Sequence, residues 1–267
     1  MPPASGYHAS DGAAYERFLG RWTQRLAVPF IAFAQTPADG EALEVGCGTG
    51  NLAIALSERR RGNVVAVDIA EPYLAFARSR PGADRVRFQL GNAGQLPFAD
   101  GHFAAAFAQL VLNFVPDADV AAREIRRVCR RGGTAAALVW DFRGGLVYQR
   151  LFWDTAAGVD PMAGPARDRL FSHPLALPDG LPDLWRRAGF AEIERGSITV
   201  RMDYASFEDY WDPLLGGQGP VGTYVTGLAP PLREQVRERV RAAYLSGQPD
   251  GPRSLTATAW AVRGTAP

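Results

Sequence analysis

One stretch of this chain has a glycine spacing that could do chemistry: Leu43-Glu44-Val45-Gly46-Cys47-Gly48-Thr49-Gly50-Asn51-Leu52. Glycines at alternate positions let the backbone turn sharply and let a ligand approach the peptide groups with no Cβ in the way. Eighteen residues past Gly50, Asp68 ends a Val-rich run, where its carboxylate could accept both hydroxyls of a ribose. Cys47 lies between two of the glycines, so the segment offers its backbone to a ligand rather than a nucleophilic thiol. An NAD(P)-dependent oxidoreductase is the rival reading, because its glycine fingerprint also follows a first strand. Against it, the third fingerprint position falls on Asn51, and the third glycine comes one residue early.

The remaining reactive inventory is thin. All 29 basic residues are Arg, which removes Schiff-base chemistry, a lysine general base and the phosphate lysine of P-loop enzymes. His8, His102 and His173, with Cys47 and Cys129, show no metal-ligand spacing, so no metal is expected. His173 falls in a segment that should lie over the ligand-binding edge of a sheet, which makes it the candidate general base. His102 precedes a strand at the opposite edge and reads as a surface turn residue, and Cys129 reads as core. A net charge of +1 over 267 residues gives no electrostatic footprint for nucleic acid or an anionic membrane, and the Arg-rich runs 59–61 and 233–241 read as solvated faces. The N-terminus has no apolar signal core, and no run approaches the ~18 to 20 apolar residues of a membrane span. These features predict a cytoplasmic protein with a small-molecule partner, and neither nucleic acid nor membrane.

The elements that must position the glycine loop are legible in the hydrophobic periodicity. Tyr15, Phe18, Leu19, Trp22, Leu26, Phe30 and Phe33 share one helical face, interrupted near Pro29, and predict an N-terminal helical cap over residues 1–40. Strands are predicted at 42–47, 63–68, 86–90, 103–108 and 134–141, with helices at 51–58, 72–79 and 117–129. Repeated β-α units of this length imply a doubly wound α/β sheet, mostly parallel, with helices on both faces. Beyond Asp141 come two aromatic-rich blocks of helical or irregular structure, 142–182, too long for an ordinary loop and expected to be partly helical, and 202–229, separated by a helix at 183–188 and a strand at 190–201. A charged helix at 231–245 and an alternating strand at 254–263 close the chain.

From Glu41 to Asp141 this order resembles the class I methyltransferases that use S-adenosylmethionine, a Rossmann-like fold. The glycine loop, with Glu44, Gly46, Cys47, Gly48 and Gly50, looks like that family's first motif. Asp68 matches its ribose-binding acid, and Ile69 and Tyr73 match the positions flanking adenine. Asn92 and Ala93 resemble the loop after the third strand; the family usually has Asp where Asn92 stands, and the Asn oxygen can still accept from the adenine amino group. Gln109 and Leu110 would lie beside the methionine end. The frequent acid after Phe103 is replaced by Ala104. The family's antiparallel last strand can be supplied by 254–263 beside 190–201.

The resemblance implies a methyltransferase domain over 41–267, insertions at 142–182 and 202–229 included, that binds S-adenosylmethionine and passes its methyl in line to a small organic acceptor. Besides the oxidoreductase, a protein that binds this cofactor without catalysis is the alternative. Arg21, on the N-terminal helix, is available to meet the cofactor's carboxylate. The aromatics of the two blocks, with Gly144-Gly145 and Gly216-Gly217 as hinges, suggest a mobile lid, the alternative being that they extend the core.

Overall fold

Short runs of Val, Leu and Ala that are buried on both sides form the centre of the molecule, as parallel strands covered by helices require. The structure is a computed structural model and describes residues 11–267. It begins with α1 (Gly12–Tyr15), a π-helical segment (Glu16–Gly20) and α2 (Arg21–Ala34). The alternating part follows as β1 (Ala42–Val45), α3 (Asn51–Arg59), β2 (Val64–Asp68), α4 (Glu71–Arg78), β3 (Val86–Leu90), β4 (Phe103–Gln109), α5 (Ala118–Val128) and β5 (Cys129–Trp140). Next come α6 (Val147–Ala156), α7 (Ala163–Phe171), α8 (Gly180–Ala188) and β6 (Ala191–Tyr204). The last elements are α9 (Phe207–Trp211), α10 (Gly219–Gly227), α11 (Pro230–Leu245) and β7 (Arg253–Thr265).

Among these residues the strands form one seven-stranded sheet in the order β3-β2-β1-β4-β5-β7-β6. The pairs among β1 to β5 are parallel, and β7 runs antiparallel to both β5 and β6. This is the doubly wound, Rossmann-like sheet with an antiparallel last strand. One face is packed by α2, α3 and α4 through Leu26, Phe30, Leu52, Leu56 and Leu74, the other by α5 and α8 through Ile125, Leu184 and Trp185. No helix among the described residues is long and apolar enough to cross a membrane.

Three expectations change. The N-terminal helix runs through Pro29 and is interrupted instead at Glu16–Gly20. There the Glu16 carboxylate accepts from Asn51 Nδ2 (2.9 Å) and from the Thr49 hydroxyl, and Gly20 leaves room for that carboxyl, with which a Cβ would collide. Residues 1–10 of the segment read as a cap, with His8, lie outside the described residues. Second, the two aromatic-rich blocks hold more regular structure than expected: the helix anticipated in the first is α6 and α7, and the second holds the end of β6, α9 and α10. Third, their aromatics are core rather than a lid's loose surface. Phe152, Trp153, Phe207, Tyr210 and Trp211 are buried in one continuous cluster with the sheet. Gly145 is no hinge, because its N–H donates to Asp141 O, its carbonyl accepts from Thr258 N, and a Cβ would strike Thr258.

Candidate active site

The glycine loop leaves β1 and turns back against β2. Gly46 and Cys47 both donate their N–H to Val67 O, at 2.8 and 3.0 Å. Gly46 has φ +71°, and a Cβ there would meet the Val111 side chain, so this glycine is required by the close approach of the loop after β4. Gly48, at φ +52°, differs: its nearest neighbour in the Cβ direction is the Tyr73 ring at 3.8 Å, which leaves space for a ligand. Asp68 holds the loop in place, its Oδ2 accepting from Gly48 N and its Oδ1 from Ala70 N, each at 2.8 Å.

A cavity of about 530 Å³ opens along the carboxyl edge of β1, β2, β4 and β5. This edge is where open α/β sheets take ligands. Glu44, Gly46, Cys47, Gly48, Asp68, Ile69, Tyr73, Asn92, Ala93, Gln109 and Leu110 all line it. Ile69 remains 72 % exposed, an apolar side chain with a ligand's surface still to cover it. Leu110 holds φ +60°, which is strained for a bulky residue, and its N–H donates to Leu138 O at 2.8 Å.

Three predicted residues lie elsewhere. Gly50 sits behind the cavity at the start of α3, where a Cβ would come to 3.0 Å from the Phe88 ring, so it serves helix packing. Arg21 is held by Asp209, Nη1 to Oδ1 at 2.8 Å and Nη2 to the carbonyl at 3.0 Å, with its guanidinium over the Trp22 ring. It joins α2 to α9 and does not line the cavity. His173 caps the short turn 174–176, Nδ1 accepting from Leu175 N at 3.2 Å, and burial lowers its pKa; it does not line the cavity.

The N-terminal cap supplies a roof, as expected, whereas the sequence reading missed most of the far wall. Tyr15, Leu19 and Thr23 from the N-terminal helix cover the cavity, Gly219 and Pro220 line it beside Tyr73 and Phe18, and Phe114, Trp140, Phe142 and Gln149 line it toward β5. Gln149 had one visible signal: a polar residue among Tyr148, Phe152 and Trp153 on an otherwise apolar helix face. The roof is fastened to the glycine loop by Glu16 and by Arg80, whose Nη1 donates to Asn51 Oδ1 (2.7 Å) and Thr49 O (2.9 Å). Tyr73 Oη donates to Gln218 Oε1 at 2.8 Å, which ties α4 to the segment before α10.

The electrostatics of the cavity are those of a well for donors. Alternation along β1 and β4 puts Glu44 and Gln109 on the face covered by α2, and Gln109 Nε2 donates to Thr23 O at 3.2 Å. Glu44 Oε2, Gln109 Oε1 and Gln149 Oε1 are buried without a hydrogen-bond partner. Such orphaned acceptors are uncommon in native proteins and point to a ligand that supplies the donors. Burial holds the Glu44 carboxyl well above the usual carboxylate range; the Asp68 charge adds to this, and the Ala53 N–H partly offsets it. Burial likewise raises Asp68, against the N–H bonds from Ala70 and Gly48, and raises the Cys47 thiol, leaving no thiolate nucleophile. Among the described residues no cluster of three His, Cys, Asp or Glu could hold a metal ion.

Residues 43–137 match the family model described as a methyltransferase domain. The demethylmenaquinone methyltransferase of Roseiflexus castenholzii is 32 % identical over 204 residues, covering 71 % of this chain and 82 % of that one. The chain belongs to the class I S-adenosylmethionine-dependent methyltransferases. The malonyl-[acyl-carrier protein] O-methyltransferase of Methylococcus capsulatus is 30 % identical over 172 residues, 64 % of this chain and 58 % of that one. A putative methyltransferase from Bacillus halodurans shares the fold, with a TM-score of 0.58 at 18 % identity over 90 % of this chain and 98 % of that one. As a member of this family the methyltransferase takes its methyl group from S-adenosylmethionine, and the oxidoreductase reading is set aside.

Proposed function

We propose that this methyltransferase holds its cofactor along the glycine loop and methylates a small, apolar or aromatic organic molecule at the far end of the same cavity. The observation that carries this is the set of three orphaned buried oxygens distributed over a cavity with one glycine-lined wall and one aromatic wall. Glu44 Oε2 and Gln109 Oε1 suit the ammonium of the cofactor's methionine part, Asp68 the ribose hydroxyls, and Ile69 and Tyr73 the faces of the adenine. Asn92 Oδ1, which already accepts from Gly94 N at 2.8 Å, keeps a lone pair for the adenine amino group, beside Ala93. Residues 11–40 act as the cap of a methyltransferase domain spanning 41–267, whose insertions at 142–182 and 202–229 supply the acceptor's wall. The two relatives named above differ in the acceptor their names state, so selection falls to this chain's own wall residues. The partner is a small molecule rather than nucleic acid or membrane, and free thiols at Cys47 and Cys129 suit a cytoplasmic address.

When bound, the cofactor supplies an activated methyl on its sulfonium, whose carbon–sulfur bond breaks with the electron pair staying on sulfur. The chain's work is to align the acceptor's lone pair with that methyl and to keep water out, and such positioning contributes several kcal/mol, on the order of 7 or more at best. The titratable side chains of the cavity, Tyr15, Glu44, Cys47, Asp68 and Tyr73, belong to the glycine loop, β2, α4 and the roof. The far wall of Phe114, Trp140, Phe142 and Gln149 contains no general base. The acceptor must therefore bring an atom that is nucleophilic without one, such as an amine, a thiolate or an acidic hydroxyl.

Glu44→Gln tests the assignment. The folded pKa of Glu44 lies above its unfolded value, so its contribution to stability is full below about pH 4.5 and is lost as pH rises through the folded pKa. The ligand-free variant should thus lose part of the parent's decline in Tm over that range, with the Asp68 share remaining. At neutral pH it should bind S-adenosylhomocysteine more weakly by about 1.5 to 3 kcal/mol, the worth of a hydrogen bond to a charged group. Parent-like affinity measured by calorimetry would remove Glu44 from the binding site.

A further inference from the structure

We propose that Gln149 reads the acceptor, and that the acceptor is a planar aromatic molecule carrying an N–H or O–H donor on the atom to be methylated. The proposal rests on the cofactor lying at the glycine-loop end, which leaves the far end of the cavity for the acceptor.

Gln149 is 2 % exposed, lines the cavity, and stands on α6, whose other inward residues Tyr148, Phe152 and Trp153 are committed to the core. Its Nε2 donates to Tyr148 Oη at 2.9 Å, and Oε1 has no hydrogen-bond partner. Tyr148 is held in turn, because its backbone carbonyl accepts from Tyr210 Oη at 2.8 Å and its ring packs against Phe18 and Tyr210. A buried carbonyl oxygen lacking a donor is destabilising to the free protein, and a ligand donor removes that penalty. Such a site rejects an analogue without the donor far more strongly than an apolar wall rejects a change of shape.

The surroundings specify the rest of the molecule. Trp140 at the end of β5 and Phe142 just beyond it line the cavity beside Gln149, with Phe114, and aromatic faces of this kind favour a flat, apolar body. The hydrogen bond to Oε1 orients the N–H or O–H without removing its proton, consistent with a wall that has no base. As the acceptor's lone pair forms its bond to the methyl carbon the carbon–sulfur bond breaks, and the surplus proton leaves with the methylated product, passing to water on release.

The test uses naphthol, naphthylamine and the donor-free methoxynaphthalene, each titrated to millimolar concentration into protein saturated with S-adenosylhomocysteine. The parent should bind the two donors about tenfold more tightly than the ether. In Gln149→Leu, and in the length-matched Gln149→Met, this preference should fall to within about twofold while the affinity for S-adenosylhomocysteine stays at the parent's value. Donors that bind no better than the ether, or a preference that survives in both variants, would overturn the proposal. Loss of S-adenosylhomocysteine binding in variants with a parent-like Tm would overturn it too, by making Gln149 a cofactor residue. If the parent fails to bind S-adenosylhomocysteine yet shows a Gln149-dependent donor preference without it, the cofactor reading falls and the role of Gln149 stands.

Discussion

Asp68→Ala is expected to weaken S-adenosylhomocysteine binding by about 2 to 4 kcal/mol, the sum of lost charge-assisted bonds to the ribose and a loosened glycine loop. The two parts are separable. Asp68 accepts from Gly48 N and Ala70 N as well as facing the cavity, so removing it leaves two backbone donors without their acceptor and frees the loop that shapes the binding wall. Asp68→Asn keeps one acceptor oxygen and should fall between parent and Ala. Because burial raises the carboxyl's pKa, the ligand-free Asp68→Asn variant should also lose part of the parent's decline in Tm as pH rises above about 4. Calorimetry and thermal melts at two pH values read both effects, and equal affinities in all three proteins would detach Asp68 from the ligand.

Phe152→Ala should destabilise the ligand-free protein by about 3 to 5 kcal/mol, the usual range for deleting a fully buried aromatic side chain. Phe152 is fully buried, with its ring 5.2 Å from that of Trp153 and 5.9 Å from that of Tyr224. Tyr224 Oη donates to Asp160 Oδ2 at 2.6 Å, which anchors α10 to the turn after α6. A lid would give a different result: little change in Tm without ligand, and fast amide exchange that slows only when the cavity is filled. Urea denaturation of the variant, with amide exchange across α6 and α9 in the parent, distinguishes the two.

The alternating half of the molecule was legible in the sequence because its strands are buried on both faces and read as unbroken Val, Leu and Ala runs between helices. The strand edges came within a residue or two, except at β5, which begins at Cys129 because the Gly132-Gly133 stretch stays in the sheet. The antiparallel end of the sheet followed from resemblance, and no periodicity could have supplied the order β5-β7-β6. The helices of the aromatic blocks could be anticipated only in part, because a helix packed on several sides, such as α6 or α9, has no clean polar stripe and carries Gly and Pro at its ends. The break at Glu16–Gly20 was invisible because its cause is a carboxylate reaching residues 49 and 51, far along the chain.

In the site, what the sequence placed on the strand ends lines the cavity, since in a parallel sheet those ends converge. Arg21 and His173 went astray for one reason: their partners, Asp209 and the turn at Leu175, depend on tertiary packing or local capping that residue type does not announce. Gln149 and Trp140 were missed because they sit where insertion and sheet meet.

The central claim is that this cavity is built for S-adenosylmethionine, and calorimetry with S-adenosylhomocysteine and NAD, each titrated into the same purified protein at neutral pH, tests it most directly. S-adenosylhomocysteine should bind one to one with a heat that Asp68→Ala diminishes, while NAD gives none. Binding of NAD with no heat from S-adenosylhomocysteine would contradict the account.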